Sequence, residues 1–216
     1  MVPTLLETIS EHRLVPVIEL DSAEDALSLA EALLGGGLPV IELTFRTAAA
    51  VKSIAEVRKR FPEMLVGAGT IVLRDQLRQA LDAGAQFVVS PGFDPVLTEA
   101  VLKSGTLYLP GIATASELQG ALALGITACK FFPAEEIGGT RFLRILAATF
   151  RAFSPRFVPT GGINLNNLDS WLAEPSVLAA GGSWLAARQW IQDKEWAAIK
   201  ESVAASVRLV KTIKRT

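Results

Sequence analysis

Short apolar runs rich in Val, Ile, Leu and Phe alternate with amphipathic stretches along this chain. Parallel strands that are buried on both faces produce such continuous apolar runs, so each run predicts a strand. The pattern predicts eight strands, at residues 14–20, 40–45, 65–68, 87–90, 107–109, 128–132, 157–160 and 177–180.

Between the strands, apolar positions recur three and four residues apart, which is the helical period. These helical stretches cover residues 23–34, 49–61, 76–83, 95–103, 116–124, 140–150 and 165–172, with a short helix before the first strand and a last helix at 195–213. Eight strand–helix units predict an α/β fold, a (β/α)8 TIM barrel with an N-terminal helix, in one domain spanning residues 1–216. An open, doubly wound sheet is the alternative, because a count of strands does not establish closure.

In a barrel of this kind the functional groups lie at the carboxyl ends of the strands. Side chains alternate along a strand, so Glu42, Thr44 and Arg46 are expected on one face of the second strand. Lys130 and Phe132 are expected on one face of the sixth strand. If both faces point inward, Glu42 and Lys130 meet at the mouth of the barrel.

Lys130 is the most informative of these residues, because it stands in the apolar run 127–134. Burial of an ammonium group costs free energy and favours the neutral amine, which can attack a carbonyl and form a Schiff base. Glu42 would then exchange protons beside it. The alternatives are a lysine at a strand end with its head in water, and a structural salt bridge between Glu42 and Arg46.

Two glycine turns follow the seventh and eighth strands, at residues 160–164 and 181–184. Glycine lets backbone N–H groups approach a phosphate, and barrel enzymes often bind phosphate at these two positions. The candidate phosphate ligands are Gly161, Gly162, Gly182 and Ser183.

Other polar groups near the strand ends suggest an anion at the opposite end of the substrate. Arg46 is suited to hold a carboxylate through paired hydrogen bonds. Thr70 either donates a hydroxyl to the ligand or caps a helix that begins at residue 71. Pro91 is expected to shape a turn, and Phe132 either joins the core or shields a Schiff base from water.

Composition narrows the classes of function. The chain has 216 residues and a formal net charge of −1, which gives no overall attraction to nucleic acid. One cysteine and one histidine leave little for a metal site, so neither a metal nor another cofactor is expected. The amino-terminal segment lacks a basic stretch before an apolar one, and no apolar run is long enough for a bilayer. A cytoplasmic location without a membrane partner is the expectation.

Seven segments resemble the signature segments of the 2-keto-3-deoxy-6-phosphogluconate (KDPG) aldolase family, also called 4-hydroxy-2-oxoglutarate (KHG) aldolases. In order along the chain they are ELTFR at 42–46, VGAGT at 66–70, SPG at 90–92, LPG at 109–111, KFFPAE at 130–135, PTGGI at 159–163 and GGSWL at 181–185.

This resemblance implies a class I aldolase that cleaves 2-dehydro-3-deoxy-6-phosphogluconate to pyruvate and glyceraldehyde 3-phosphate. It implies that Lys130 forms the Schiff base and that Glu42 is the general acid/base. It further implies that Arg46 and Thr70 contact the carboxylate end of the substrate. It also implies that Gly161, Gly162 and Ser183 bind the phosphate, and that Pro91 and Phe132 line the pocket.

The usual assembly of that family is a homotrimer. Three alternatives stay open at this point: an aldolase for 4-hydroxy-2-oxoglutarate or another unphosphorylated sugar acid, an isomerase or epimerase that uses carboxylates, and a non-catalytic sugar-phosphate-binding protein.

Overall fold

Parallel strands alternate with helices in the computed structural model, which describes residues 4–214. Residues 1–3, which belong to the amino-terminal segment considered above, and residues 215–216 lie outside the described part of the chain. The strands are β1 (Leu14–Ile18), β2 (Val40–Thr44), β3 (Leu65–Gly69), β4 (Phe87–Val89), β5 (Leu107–Leu109), β6 (Gly111–Ile112), β7 (Ala128–Phe131), β8 (Arg156–Pro159) and β9 (Ala180–Gly182).

The α-helices lie before, between and after these strands. They are α1 (Leu5–His12), α2 (Ala26–Gly35), α3 (Ala50–Arg60), α4 (Arg74–Asp82), α5 (Pro95–Ser104), α6 (Ala115–Ala123), α7 (Gly139–Thr149), α8 (Leu168–Leu172), α9 (Arg188–Gln192) and α10 (Trp196–Thr212). Three short 3-10 helices cover Ala23–Asp25, Arg151–Phe153 and Trp184–Ala186. Within residues 4–214, none of the helices combines the length and the apolar character that a bilayer crossing requires.

All strand pairs are parallel and fall into two sheets. One sheet has the order β5-β4-β3-β2-β1-β9 and the other the order β6-β7-β8. Pro110 alone separates β5 from β6, where the missing N–H of proline interrupts the ladder. Isolated bridges from Phe157 to Val177 and from Thr160 to Gly181 connect the second sheet to the segment that leads into β9. The predicted parallel α/β alternation is confirmed.

The last predicted strand was placed three residues too early, because the pairing segment is Ala180–Gly182 rather than residues 177–180. Two glycines pair here with Val15 and Pro16 of β1. A Cβ at Gly181 would lie 2.5 Å from Thr160 Oγ1, and one at Gly182 would lie 2.2 Å from the Trp184 ring. Neighbouring side chains therefore occupy the space of a Cβ, and apolar character alone does not reveal this strand.

Packing in the core determines which way each face of β7 points. Every residue of β7 is buried, and the Phe131 ring lies 6.1 Å from the Trp171 ring and 6.4 Å from the Phe157 ring, centroid to centroid. Because side chains alternate along a strand, anchoring Phe131 in this aromatic cluster turns Lys130 to the opposite face. Full burial of one such aromatic side chain contributes about 1.5–3 kcal/mol, which holds the strand in this orientation.

Candidate active site

A lysine and a glutamate face each other inside the fold. Lys130 on β7 is 4% exposed, Glu42 on β2 is 2% exposed, and Lys130 Nζ lies 3.5 Å from Glu42 Oε1. The predicted meeting of these two residues is confirmed. The alternative of a lysine head in water is wrong, because the side chain of Lys130 is almost fully enclosed.

The carboxylate of Glu42 fits only because position 69 carries no side chain. A Cβ at Gly69 would lie 2.1 Å from Glu42 Oε1. Among the described residues this oxygen accepts no hydrogen bond and has only the ion pair with Lys130. A buried carboxylate oxygen with unused acceptor capacity is equipped to take a proton from a hydroxyl group or a water molecule that enters the site.

Phe132 joins the amine to a neighbouring cavity. Its ring centroid lies 5.3 Å from Lys130 Nζ, and the same residue lines a cavity of about 150 Å³. The lining residues are Val17, Arg46, Phe132, Thr160, Gly161, Gly162, Ile163, Gly182 and Ser183. The structure therefore brings the predicted phosphate ligands together beside the amine, and it adds Val17 and Ile163, which carry no polar side chain that could have marked them.

The glycine turn after β8 needs its glycines. Gly161 has φ +102° and Gly162 has φ +73°, a region that favours glycine. A Cβ at Gly162 would also lie 2.6 Å from Glu135 Cγ. Within residues 4–214, the N–H groups of Gly162 and Ile163 donate to no acceptor. Two adjacent unused N–H groups at a cavity wall form a concavity that suits an anion.

Arg46 lies beyond the end of β2 and reaches a carboxylate that lies just beyond the end of β1. Arg46 Nη1 is 3.5 Å from Glu19 Oε2, and Glu19 Oε1 is 2.8 Å from Arg188 Nη1. A salt bridge between Arg46 and Glu42, the alternative raised by their spacing, is therefore wrong. Glu19 was not predicted, although it stands two residues after Val17 of β1, and a period of two would have placed both side chains on the same face.

A second cavity of about 170 Å³ adjoins the first and shares Val17, Arg46 and Ser183 with it. Arg188 lines this cavity and is also 2.6 Å from Asp21 Oδ1 through Nη2. The two arginines thus pair with the two carboxylates of Glu19 and Asp21, so these four groups carry no net charge. An anionic substrate group that binds Arg46 competes with Glu19 or uses the remaining nitrogens of the guanidinium.

Thr70 and Pro91 lie outside the lining of the first cavity. Thr70 follows β3 with φ 58°, and α4 begins only at Arg74, so its prediction as a helix cap is wrong. Pro91 packs its backbone against β6, where a Cβ at Gly111 would lie 2.2 Å from Pro91 O. Their roles toward a ligand stay predictions.

Two other buried titratable groups near the site are poor nucleophiles. Burial raises the pKa of the Cys129 thiol to about 12. Burial also raises the pKa of Tyr108, although its hydrogen bond with Ser90 opposes the change. Neither group is deprotonated near neutral pH, so neither competes with Lys130 as a nucleophile.

Comparisons with known proteins identify the family. The model of the KDPG and KHG aldolase family matches residues 5–202. A 2-dehydro-3-deoxy-phosphogluconate aldolase from Treponema pallidum is 48% identical over 186 residues, which are 86% of this chain and 88% of that protein. The KHG/KDPG aldolase of Escherichia coli K12 is 44% identical over 79% of both chains.

A solved structure agrees with the sequence comparison. The crystal structure of the KDPG aldolase from Legionella pneumophila, with pyruvate captured at low pH as a covalent carbinolamine intermediate, superposes with a TM-score of 0.89. It is 38% identical to this chain, and the match covers 94% of this chain and 98% of that one. On this evidence, together with the buried lysine–glutamate pair, the chain belongs to the KDPG and KHG aldolase family.

Proposed function

We propose that this protein is a class I aldolase that reversibly cleaves 2-dehydro-3-deoxy-6-phosphogluconate to pyruvate and glyceraldehyde 3-phosphate. The observation that carries the proposal is the enclosed pair of Lys130 and Glu42, 3.5 Å apart, beside a cavity that offers unused backbone N–H groups. An amine and a carboxylate at this distance supply the nucleophile and the proton carrier that Schiff-base chemistry needs.

The first half of the reaction uses Lys130. Its neutral amine attacks the C2 carbonyl carbon of the keto acid, and the carbinolamine takes up one proton and loses water to give an iminium ion. The C3–C4 bond then breaks, and its electron pair moves into the iminium to give an enamine. Glu42 takes the proton of the C4 hydroxyl, so C4 leaves as the aldehyde carbon of glyceraldehyde 3-phosphate.

The second half returns the proton. Protonated Glu42 gives its proton to the enamine carbon C3, which restores an iminium ion, and water then releases pyruvate, free Lys130 and the proton taken up when the first iminium ion formed. One carboxylate serves both steps because it lies beside the amine that stays bound to the substrate. The Phe132 ring covers one side of the nitrogen and limits access of water.

The two ends of the substrate have different binding groups in this proposal, although Arg46 lines the same cavity as the phosphate ligands. Arg46 and Thr70 hold the carboxylate next to C2, which places the carbonyl within reach of Lys130. Gly161, Gly162, Gly182 and Ser183 hold the phosphate. Pro91 and Phe132 line the path between the two ends.

Borohydride reduction in the presence of pyruvate tests the covalent step. We expect a stable adduct on the peptide that carries Lys130, detected by mass spectrometry, and no adduct or turnover in Lys130→Ala. Glu42→Gln should still form the adduct and lose proton transfer, measured as exchange of the pyruvate methyl protons with deuterated solvent. An isomerase or a binding protein would form no adduct, so its absence in the wild type would refute the proposal.

A second substrate has support in the comparisons. The name of the Escherichia coli relative includes KHG, and so does the description of the family. We propose 4-hydroxy-2-oxoglutarate as an alternative substrate, since it needs the same amine and carboxylate and makes no use of the phosphate ligands. Comparing kcat/KM for the two substrates decides which one the site prefers.

We also propose that the two sheets close into the predicted eight-stranded barrel, as one domain over residues 1–216. Four contacts support closure: β9 pairs with β1, Phe157 of β8 bridges to Val177, Thr160 bridges to Gly181 of β9, and Lys130 N–H donates to Pro110 O, between β5 and β6, at 2.9 Å. In this arrangement β5 and β6 count as one strand that Pro110 interrupts.

A homotrimer in the cytoplasm, without nucleic-acid or membrane partners, stays a prediction. Its support is the family resemblance and a set of exposed apolar side chains near α4 and α5, namely Val72, Leu73 and Val96, which are 50%, 61% and 55% exposed. Sedimentation equilibrium of the purified protein tests the trimer.

A further inference from the structure

A polar cluster behind the first glycine turn fixes the turn from the side opposite the cavity. It consists of Glu135 after β7, Asn164 in the loop, Asn167 just before α8, and Trp171 within α8. We call these four residues the turn clamp.

Each member of the turn clamp is tied to another or to the turn. Glu135 Oε1 accepts hydrogen bonds from Trp171 Nε1 at 2.6 Å and from Asn167 Nδ2 at 3.1 Å. Asn167 Nδ2 also donates to Gly162 O at 3.1 Å, so it uses both of its hydrogens. Asn164 Nδ2 donates to the same carbonyl at 3.3 Å, and Asn164 N–H donates to Asn167 Oδ1 at 2.8 Å.

Holding the carbonyls of the turn fixes the N–H groups that it presents. In a planar trans peptide the C=O and the following N–H point in opposite directions. The bonds to Gly162 O therefore orient the N–H of Ile163. The Glu135 N–H donates to Gly161 O at 3.3 Å, which orients the N–H of Gly162 in the same way. Both of these N–H groups, of Gly162 and of Ile163, donate to no acceptor within residues 4–214.

We propose that Asn167, held by Glu135, is the positioning residue for the phosphate end of the substrate and thereby sets the preference for phosphorylated substrates. The inference rests on the proposed function, because it assigns the phosphate to the Gly161–Gly162 turn. Donors that are already oriented bind an anion without the cost of ordering the loop. A loop with two glycines at positive φ would otherwise lose much conformational freedom when it binds.

The structure offers a well-matched set of variants. Asn167 is half-buried, so Asn167→Ala removes the amide without opening the core, whereas Trp171 is fully buried and is left unchanged. The neighbouring Asn166 is exposed, and its side chain forms no hydrogen bond within residues 4–214. Asn166→Ala is therefore the control. Asn164→Ala is a second test variant, because it removes one of the two donors to Gly162 O.

The experiment measures the condensation of pyruvate with glyceraldehyde 3-phosphate and with D-glyceraldehyde, which lacks the phosphate. For Asn167→Ala we expect the ratio of kcat/KM for the phosphorylated over the unphosphorylated aldehyde to fall about tenfold, mainly through KM, as expected for the loss of one to two hydrogen bonds of ordinary net strength. Asn164→Ala should lower the ratio less, and Asn166→Ala should keep the wild-type ratio. Inhibition by inorganic phosphate should weaken in parallel.

Two results would overturn the inference. One is an unchanged ratio in Asn167→Ala, and the other is an equal loss for both aldehydes, which would assign the turn clamp a purely structural role. If the wild type forms no pyruvate adduct, the proposed function fails on its own. The turn clamp is then judged by titration with inorganic phosphate alone, where Asn167→Ala must bind more weakly than Asn166→Ala for the inference to stand.

Discussion

Replacing Gly69 with alanine should disable proton transfer while leaving the nucleophile in place. Gly69 ends β3 and forms the wall against which the carboxylate of Glu42 lies. Its φ is outside the positive range, so alanine adopts the same backbone without strain. The effect of the substitution then comes from the added methyl group alone.

The size of the effect follows from the contact distances. The new Cβ would lie 2.1 Å from Glu42 Oε1 and 2.7 Å from its Cγ and Cδ, whereas ordinary Cβ contacts begin at 3.4 Å. The carboxylate must therefore retreat by roughly 1 Å, a displacement that costs about 100-fold in rate when it affects a reacting group. Because Glu42 is buried and has little room to move, we also expect a loss of about 1–3 kcal/mol in the free energy of unfolding.

Four measurements separate these effects. Gly69→Ala should retain the borohydride-reduced pyruvate adduct at Lys130, while exchange of the pyruvate methyl protons and kcat fall about 100-fold, as for a misplaced proton carrier. Gly92→Ala is the control, because a Cβ at that position meets nothing within 4 Å. Thermal denaturation reports the stability change. A kcat within twofold of the wild type would refute the assignment of Glu42, and equal loss of the adduct would show that the methyl group disturbs Lys130 instead.

Three further predictions concern other groups. Glu19→Gln removes the charge that pairs with Arg46, so the KM for pyruvate should change severalfold while kcat stays nearly constant. The control is Asp75→Asn, which breaks an exposed ion pair and should change neither KM nor kcat. Cys129, with a pKa of about 12, should resist thiol reagents at pH 8 until urea unfolds the protein; rapid labelling of the native protein would contradict its burial. Burial lowers the pKa of His12 from its ordinary value of 6.5, so on acidification the unfolded state binds a proton at this imidazole before the folded state does. The free energy of unfolding should therefore fall as the pH drops below about 6.5, and this part of the pH dependence should vanish in His12→Gln.

Much of the fold could be predicted because its strands are apolar on both faces and separate clearly from the helices. The element boundaries that were predicted wrongly depend on contacts or backbone conformations that the local apolar pattern does not show. Strand β9 consists of Ala180 and two glycines. Thr160 and Trp184 fill the space that side chains at the two glycine positions would take, so the strand can pair only without those side chains. Helix α4 starts four residues after Thr70, because that threonine adopts a left-handed backbone instead of a cap conformation.

The candidate site likewise contains some contacts that the sequence pattern predicts and others that it does not. A period of two along each strand, together with the expectation that both faces point into a barrel, predicted that Lys130 and Glu42 meet. Arg46 lies past the end of β2, where the alternation no longer holds, so its partner could not be read from β2 alone. Glu19 lies just beyond the end of the neighbouring strand β1, and no local pattern predicts its contact with Arg46. Asn167 contacts the turn five residues earlier through a loop geometry that apolar periodicity does not describe.

The aromatic anchor of β7 has a consequence for mispaired molecules. Lys130 and Phe131 are consecutive, so a shift of β7 by one residue would drive the ammonium into the cluster of Trp171 and Phe157 and turn a phenyl ring toward Glu42. Such a slipped form would lose both its chemistry and its hydrophobic contacts in a single step. The fraction of refolded protein that captures pyruvate covalently therefore measures the fraction of molecules in which β7 is paired in the correct register.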